Sequence, residues 1–526
     1  MITFLAGLCI FIIAVLAVLF YLYKRCRGEF NADFTDTLLW ANASVESGRF
    51  FNPDYWYAYF LPFSGIPLFI PIVSVFGLTY FSHQLGMTLF MLIFAAVLVV
   101  FMRSMGCSYG EAFGLSGIVM ILMCASKITR MIFYGHIIHY SLVIVFMCVA
   151  FAFLSKSSVI VPDSKGGRKY LIMIAVWCML CCTNGMATVI LFFAPLVGCL
   201  VIERFLDKRP ITYSGDKSLI GTIVMFGAGG LVGFLIKAVF FSASEYEDSI
   251  TALLPSDGWV WKQSPFLLEW IKALTDESRE DVMMQSFEGI RMLCMYVLAL
   301  ALLVIPVFAV ISFGKIKDRM LRLLIIFYWL MFAATMLTYS VSYALVSNWR
   351  LAHLICGSAI LSLLYIRYML LNGQGVRWFM LFAIPVMCVG IFISLLTLKK
   401  LPSSVNANMN DQLIEIFREH GLTRGYSSSF WDSANSATVL SDGSIVVSPI
   451  TIRPDGSYEV RHYQSEPWEY EDVPGLDRYF LVISNEDLDY AADTLGANKI
   501  EEIKYQDNTY IWVFDRNIFE NLEPVF

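Results

Sequence analysis

The sequence predicts a polytopic α-helical membrane protein of about eleven spans, carrying a small C-terminal α/β domain. Three observations predict it. The 526 residues are 58% hydrophobic and 15% charged, with a mean hydropathy of +0.66, far more apolar than a water-soluble globular chain. Apolar runs of about 20 residues, the length of a bilayer-spanning helix, recur from residue 2 to residue 398 and then stop. Beyond them the charge changes sign: residues 401–526 hold 22 acidic and 8 basic side chains, whereas residues 1–400 hold 21 and 29. The stretch Lys399-Lys400-Leu401-Pro402 therefore reads as a change of solvent, between a membrane part, 1–400, and a separate domain, 401–526. A domain this acidic suits neither nucleic acid nor an anionic lipid surface.

The first span covers roughly 2–23; its length, and the lack of a charged leader and a cleavage motif, favour a retained helix over a signal peptide. A polar loop follows, from Lys24 to about His83. Its second half, Leu61 to Ser82, is apolar but holds Pro62, Gly65, Pro67, Pro71 and Gly77, which suits a broken juxtamembrane segment better than a continuous span. Further spans are expected at 84–102, 109–126, 137–154, 170–182, 186–203, 219–241, 291–313, 323–341, 351–371 and 378–398. The glycine-rich run from Gly227 to Gly233 lies inside one of them and reads as close helix packing rather than a phosphate loop.

Basic residues set the sidedness. Lys156, Lys165, Arg168, Lys169, Arg204, Lys208, Arg209, Lys315, Lys317, Arg319 and Arg322 collect in or beside short connections on one side, which the positive-inside rule makes cytoplasmic. The first loop, the link 127–136, the loop 242–290, the turn before Arg350 and the C-terminal domain then share the extracytoplasmic side of a plasma (inner) membrane. Lys24, Arg25 and Arg27 pull the first loop the other way.

All twelve cysteines precede residue 389. Cys178, Cys181 and Cys182 show CxxC spacing, but inside an apolar run without His or Asp nearby, so they read as small buried side chains. In the C-terminal domain an amphipathic helix is expected at 411–420, strands at 444–448, 479–484 and 509–514, and a helix near 486–495.

The chemistry concentrates in the first loop: Asp33, Asp36, Trp40-Ala41, Ser47-Gly48, Asn52-Pro53 and Ile66-Pro67-Leu68. Two carboxylates three residues apart share one face of a helix, where a carboxylate can orient or deprotonate a hydroxyl. The structural alternative is an N-cap supplied by Asp33 or Thr35. Lys127, Arg130 and Arg350 are candidate phosphate ligands, with snorkelling to lipid headgroups as the alternative. His83, His136, His139 and His353 fall at helix ends of the same face; His136 and His139, without a nearby acid, are a weak metal signal, and no metal is expected. In the loop 242–290, Glu245, Glu247 and Asp248 precede Trp259, Trp261 and Trp270, which read as interfacial anchors. Tyr426, Phe430, Trp431 and Trp468 are candidates to stack on a sugar, with core packing as the default.

The ordered set of Asp36, Trp40-Ala41, Ser47-Gly48 and Ile66-Pro67-Leu68 resembles the GT-C superfamily of glycosyltransferases, above all bacterial relatives of protein O-mannosyl and aminoarabinose transferases. The chain departs from that pattern at Thr37, where the family often has Glu, and at Ile66, where it often has Pro. The resemblance implies a catalytic carboxylate at Asp36, with Asp33 as candidate second acid. It further implies a polyprenyl-phosphate-linked sugar as donor, a lipid, glycan or protein as acceptor, and inversion at the anomeric centre. Lys127, Arg130, His136, His139, Arg350 and His353 are the expected substrate-binding residues. The rival reading is a transporter or a receptor for lipid-linked glycans. Against transport stand the absence of an inverted repeat and the few ionisable residues at mid-span.

Overall fold

The computed structural model describes residues 1–160, 166–206, 217–240, 255, 258, 265–276, 282–342, 346–372, 377–401, 408–506 and 509–520. In chain order the membrane part contains α1 (Ile2–Lys24), α2 (Ala32–Ser47), α3 (Ile66–Phe76), α4 (Tyr80–Ser104), α5 (Tyr109–Leu122), α6 (Lys127–Arg130) and α7 (His139–Leu154). It continues with α8 (Gly167–Cys182), α9 (Met186–Thr188), α10 (Ala194–Leu206), α11 (Lys217–Phe240), α12 (Phe266–Thr275), α13 (Phe287–Ile311), α14 (Arg319–Val341), α15 (Ala352–Leu371) and α16 (Arg377–Lys400). Every expected span coincides with a helix or, for 186–203, with α9 and α10 joined through a π-helical turn. Eight of the described helices are long and apolar enough to cross a membrane; α5 joins a ninth, bent span, while the apolar α7 and the helix α8 have 16 residues each and fall short of that length.

The bend after α5 is sharp. The chain turns by 119° into α6 and the π-helical turn Met131–Gly135. Ser126 fixes the corner: its hydroxyl caps the Thr129 amide at 3.1 Å and donates to the Ala273 carbonyl of α12 at 2.6 Å. This satisfies backbone groups that a helix end would otherwise strand. The expected glycine packing is present, since a Cβ on Gly229 or Gly233 would strike the Ala175 or Met179 carbonyl of α8. All twelve cysteines are unpaired thiols, and Cys178, Cys181 and Cys182 are buried.

The segment 61–82 does not cross. Pro67 sits in the first turn of α3 and Pro71 inside it, and the helix ends after 11 residues, too short for a bilayer. The first loop therefore lies on the face that the C-terminal domain occupies. The cations that pull against this are held there: Arg27 pairs with Asp411, and Arg25 donates to the Lys399 carbonyl at 3.4 Å.

The C-terminal domain contains α17 (Met409–Glu419), β1 (Arg424–Ser427), α18 (Ser436–Leu440), β2 (Val446–Ile452), β3 (Tyr458–Val460), β4 (Tyr479–Ser484), α19 (Asn485–Ala491), β5 (Glu501–Gln506) and β6 (Thr509–Phe514). They form one sheet in the order β3-β2-β1-β4-β6-β5, with β1 parallel to both β2 and β4 and the other pairs antiparallel. The sheet grips the first loop. Trp56 pairs with Ser465 as an isolated bridge, Asn52 donates to Glu466 at 2.6 Å, and Asn408 donates to the Arg27 and Phe30 carbonyls at 2.7 and 2.8 Å.

Candidate active site

The first loop builds the site. Asn31, not Asp33 or Thr35, is the N-cap of α2, its side chain accepting from the Asp33 amide at 3.1 Å. Thr35 instead bonds the Ala32 carbonyl at 2.7 Å and faces Gln464 at 3.4 Å. The aspartates are thereby released from a capping role. Gly48 ends α2 in the left-handed conformation, φ 64°, which a glycine adopts without cost. Trp40 packs at 5.3 Å against Phe60 and at 4.5 Å against Tyr57, so this part of the motif is structural.

A cavity of about 1250 Å³ opens where α2, α6, α13, α16 and the C-terminal domain meet. Asp33, Lys127, Arg130 and His136 line it, together with Glu29, Asp276, Arg291, Lys400, Trp431 and Tyr463. Asp36 stands one turn further along α2 and is 8% exposed. Burial pushes the Asp33 carboxyl up to about 7; burial and then the charge of Asp33 push Asp36 up to about 7.

The other acids at the cavity are paired. Glu29 accepts from the Arg130 guanidinium, whose Nη1 also donates to the Cys124 carbonyl at 3.0 Å. Burial raises the Glu29 carboxyl, but the charge and hydrogen bonds of Arg130 outweigh it and hold the group below its usual range. Asp276 caps the Lys127 amide at 2.7 Å and lies 3.7 Å from Arg291, and Arg291 donates to Glu288 at 2.6 Å. Neither Asp33 nor Asp36 has a carboxylate hydrogen bond or ion pair among the described residues. A carboxylate as withdrawn from water as that of Asp36 ordinarily has a hydrogen-bond partner, and its lack of one calls for a chemical reason.

The other expected ligands divide. Arg130 is committed to Glu29, so Lys127, with its exposed side chain, is the more available cation. His136 lines the cavity with Nδ1 3.1 Å from the Met131 carbonyl. Outside the wall are His139, 5.4 Å edge-on from Tyr59, and His353, 3.0 Å from the Thr335 hydroxyl and stacked at 5.3 Å on Tyr140. Arg350 lies 4.7 Å over Trp349 and 5.5 Å over Tyr339, while its neighbours Asn348 and Trp349 reach the cavity. No group of three His, Cys, Asp or Glu able to hold a metal ion occurs among the described residues.

Of the aromatic candidates, Trp431 lines the cavity, Tyr426 and Phe430 are buried, and Trp468 packs under Arg424 at 4.8 Å. Trp270 is a core residue rather than an interfacial anchor, fully buried and donating to the Ala299 carbonyl at 2.9 Å. Glu245, Glu247, Asp248, Trp259 and Trp261, with Lys165, Lys208 and Arg209, lie outside the described residues. Sequence reasoning missed Glu29, Asp276, Arg291 and Tyr463. The cation opening the apolar run after residue 290 was the signal for Arg291; the others come from segments with no distinguishing pattern.

Apolar helices around a first loop with two aspartates, closed by a sheet domain on the same face, make a membrane fold like that of ArnT. The likeness is to the solved structure of ArnT from Cupriavidus metallidurans bound to undecaprenyl phosphate, with a TM-score of 0.54 and 12% identity over 96% of this chain and 97% of that one. No protein-family model matches the chain, and no curated protein does.

Proposed function

We propose that this protein is a membrane glycosyltransferase moving a sugar from a polyprenyl-phosphate donor to an acceptor hydroxyl at the outer face of the inner membrane. The observation that carries the reading is the contrast among the acids: those at the cavity beside cations are paired, while on α2 the buried Asp36 and the half-buried Asp33 have no partner among the described residues. A carboxylate held near neutrality is suited to general-base work. The neighbouring ArnT structure holds undecaprenyl phosphate, which supports a lipid-phosphate donor here.

In this mechanism Asp36 takes the proton of the acceptor hydroxyl, with Asp33 on the cavity wall sharing the load. The acceptor oxygen attacks the anomeric carbon as the bond from that carbon to the phosphate oxygen breaks, inverting the centre. Polyprenyl phosphate leaves with the bonding electrons. Lys127 and Lys400 line the cavity where this negative charge would gather, and cations there stabilise it, while Arg291 is held by Glu288 and Asp276. His136 completes the polar wall, while Arg130 holds Glu29 in place.

The test uses purified protein in nanodiscs, supplied with lipid extract from the host membrane. Mass spectrometry follows the loss of polyprenyl-phosphate sugars and the appearance of free polyprenyl phosphate. Asp36→Asn should abolish turnover while leaving the fold intact. Full turnover in that variant sinks the assignment.

A further inference from the structure

Trp431 is 50% exposed, although it belongs to a folded domain and stands at the cavity wall. Phe430 packs edge-on against it at 4.8 Å, and Tyr463 packs edge-on against Phe430 at 5.0 Å. Arg461 lies behind, 4.5 Å from the Phe430 ring and 5.5 Å from that of Tyr463.

Both segments are pinned to the first loop. The Ala32 amide donates to the Trp431 carbonyl at 3.5 Å, the Trp56 amide donates to the Ser465 carbonyl at 2.9 Å while the Trp56 carbonyl accepts from the Gln464 amide at 2.7 Å, and His462 stacks on Trp56 at 4.2 Å. A wall held this way presents its ring faces with little ordering cost on binding.

Sheet topology points the same way. The chain leaves β1 for β2 on one side, while β4 lies on the other, so β1 and β4 flank a switch point. Open α/β sheets bind ligands outside the carboxyl ends of parallel strands at such points. Trp431 lies four residues beyond the carboxyl end of β1.

A pyranose ring has an apolar C–H face and a rim of hydroxyls, which matches an aromatic face bordered by polar groups. Burial, Tyr59 and the carboxylates of Asp33 and Asp36 all raise the Tyr463 hydroxyl, so this tyrosine stands within electrostatic reach of the base pair. The cations suited to a lipid phosphate belong instead to the ends of membrane helices, Lys127 on α6 and Lys400 on α16.

We infer that Trp431 and Tyr463 of the C-terminal domain form an acceptor subsite for a pyranose ring, making the acceptor a glycan. This rests on the glycosyltransferase reading above. The acceptor hydroxyl on that ring is the one delivered to the aspartates.

The experiment is saturation-transfer NMR on the full chain in nanodiscs, free of glycosidic detergent, with the methyl α-D-pyranosides of glucose, galactose and mannose as probes. At least one probe should show saturation concentrated on the C–H protons of one ring face. Trp431→Leu should weaken the signal roughly five-fold, as loss of aromatic stacking predicts, and Trp431→Phe should retain most of it. Loss in both variants, an unchanged signal in Trp431→Leu, or no signal from any probe with the native chain overturns the subsite. Adding undecaprenyl phosphate to the nanodisc should leave the signal in place; its displacement overturns the acceptor assignment. Asp36→Asn should bind the probe as the native chain does while failing to transfer. If probe binding fails but Asp36-dependent turnover persists, the subsite alone is wrong; if turnover ignores Asp36, the catalytic reading is wrong.

Discussion

Replacing Asp36 by Asn tests catalysis and folding energetics in opposite directions. Burial and the charge of Asp33 lift the folded carboxyl from 3.8 to about 7. Between those values the folded protein binds more protons than the unfolded chain, so stability is full below the lower value and falls as pH rises through the upper one. At 1.36 kcal/mol per pH unit, the gap amounts to roughly 4 kcal/mol of stability forgone above pH 7. Asn keeps the shape of the neutral acid and cannot ionise. The variant should therefore match the native chain near pH 4, melt higher than it at pH 8, and lose turnover at every pH. Apparent melting temperatures from intrinsic fluorescence across pH 4 to 8, in nanodiscs, measure this. Asp33 still titrates in the variant, so its profile should flatten without becoming level. A native profile with no fall between pH 4 and 8, or a variant that melts lower at pH 8, would refute the buried, uncompensated carboxylate on which the mechanism depends.

Turnover itself should rise with pH through about 7 and then level off, because the base must be ionised; a rate that falls over this range contradicts the assignment. Glu29→Gln leaves the 1% exposed Arg130 without its counter-charge, at a cost of roughly 3–5 kcal/mol. Its melting temperature should drop sharply, whereas Lys127→Ala should melt normally and bind undecaprenyl phosphate more weakly in a lipid-competition assay. For sidedness, the exposed positions Arg49 and Asp493 changed singly to cysteine, in a background without accessible native thiols, should both react with an impermeant maleimide in spheroplasts. Cysteine at Lys317 should react only after lysis, and labelling of Arg49→Cys only after lysis would put the aspartates on the wrong face.

The helices were legible because a bilayer imposes length and hydropathy on a contiguous segment. Proline spacing in 61–82 likewise marked α3 as a segment that stops short. The charge reversal after residue 400 marked the end of α16 and the approach of the C-terminal sheet domain. Three strands of the sheet were visible as apolar runs, β2, β4 and β6. The others were not: β3 has three residues with no buried side chain, and β1 has four, with Arg424 and Gly425 breaking the apolar pattern.

The site divides along the same line. Asp33 and Asp36 were recognisable from spacing on one helix, a local property. Which cations remain available was not, since Arg130 and Lys127 look alike in sequence, and only the approach of Glu29, 101 residues away, sets them apart. His139 and His353 resembled His136 as residues at helix ends, and packing against Tyr140 drew them out of the cavity wall. The sequence by itself determined the membrane helices, where the last of them ends and the pair of acids, because hydropathy and helical period act over neighbouring residues. Tertiary structure alone decided that Asn31 rather than an aspartate caps α2, that Arg27 is held by Asp411, and that Trp431 and Tyr463 meet the first loop. Those outcomes depend on charges and rings brought together across hundreds of residues, where no local pattern records the pairing.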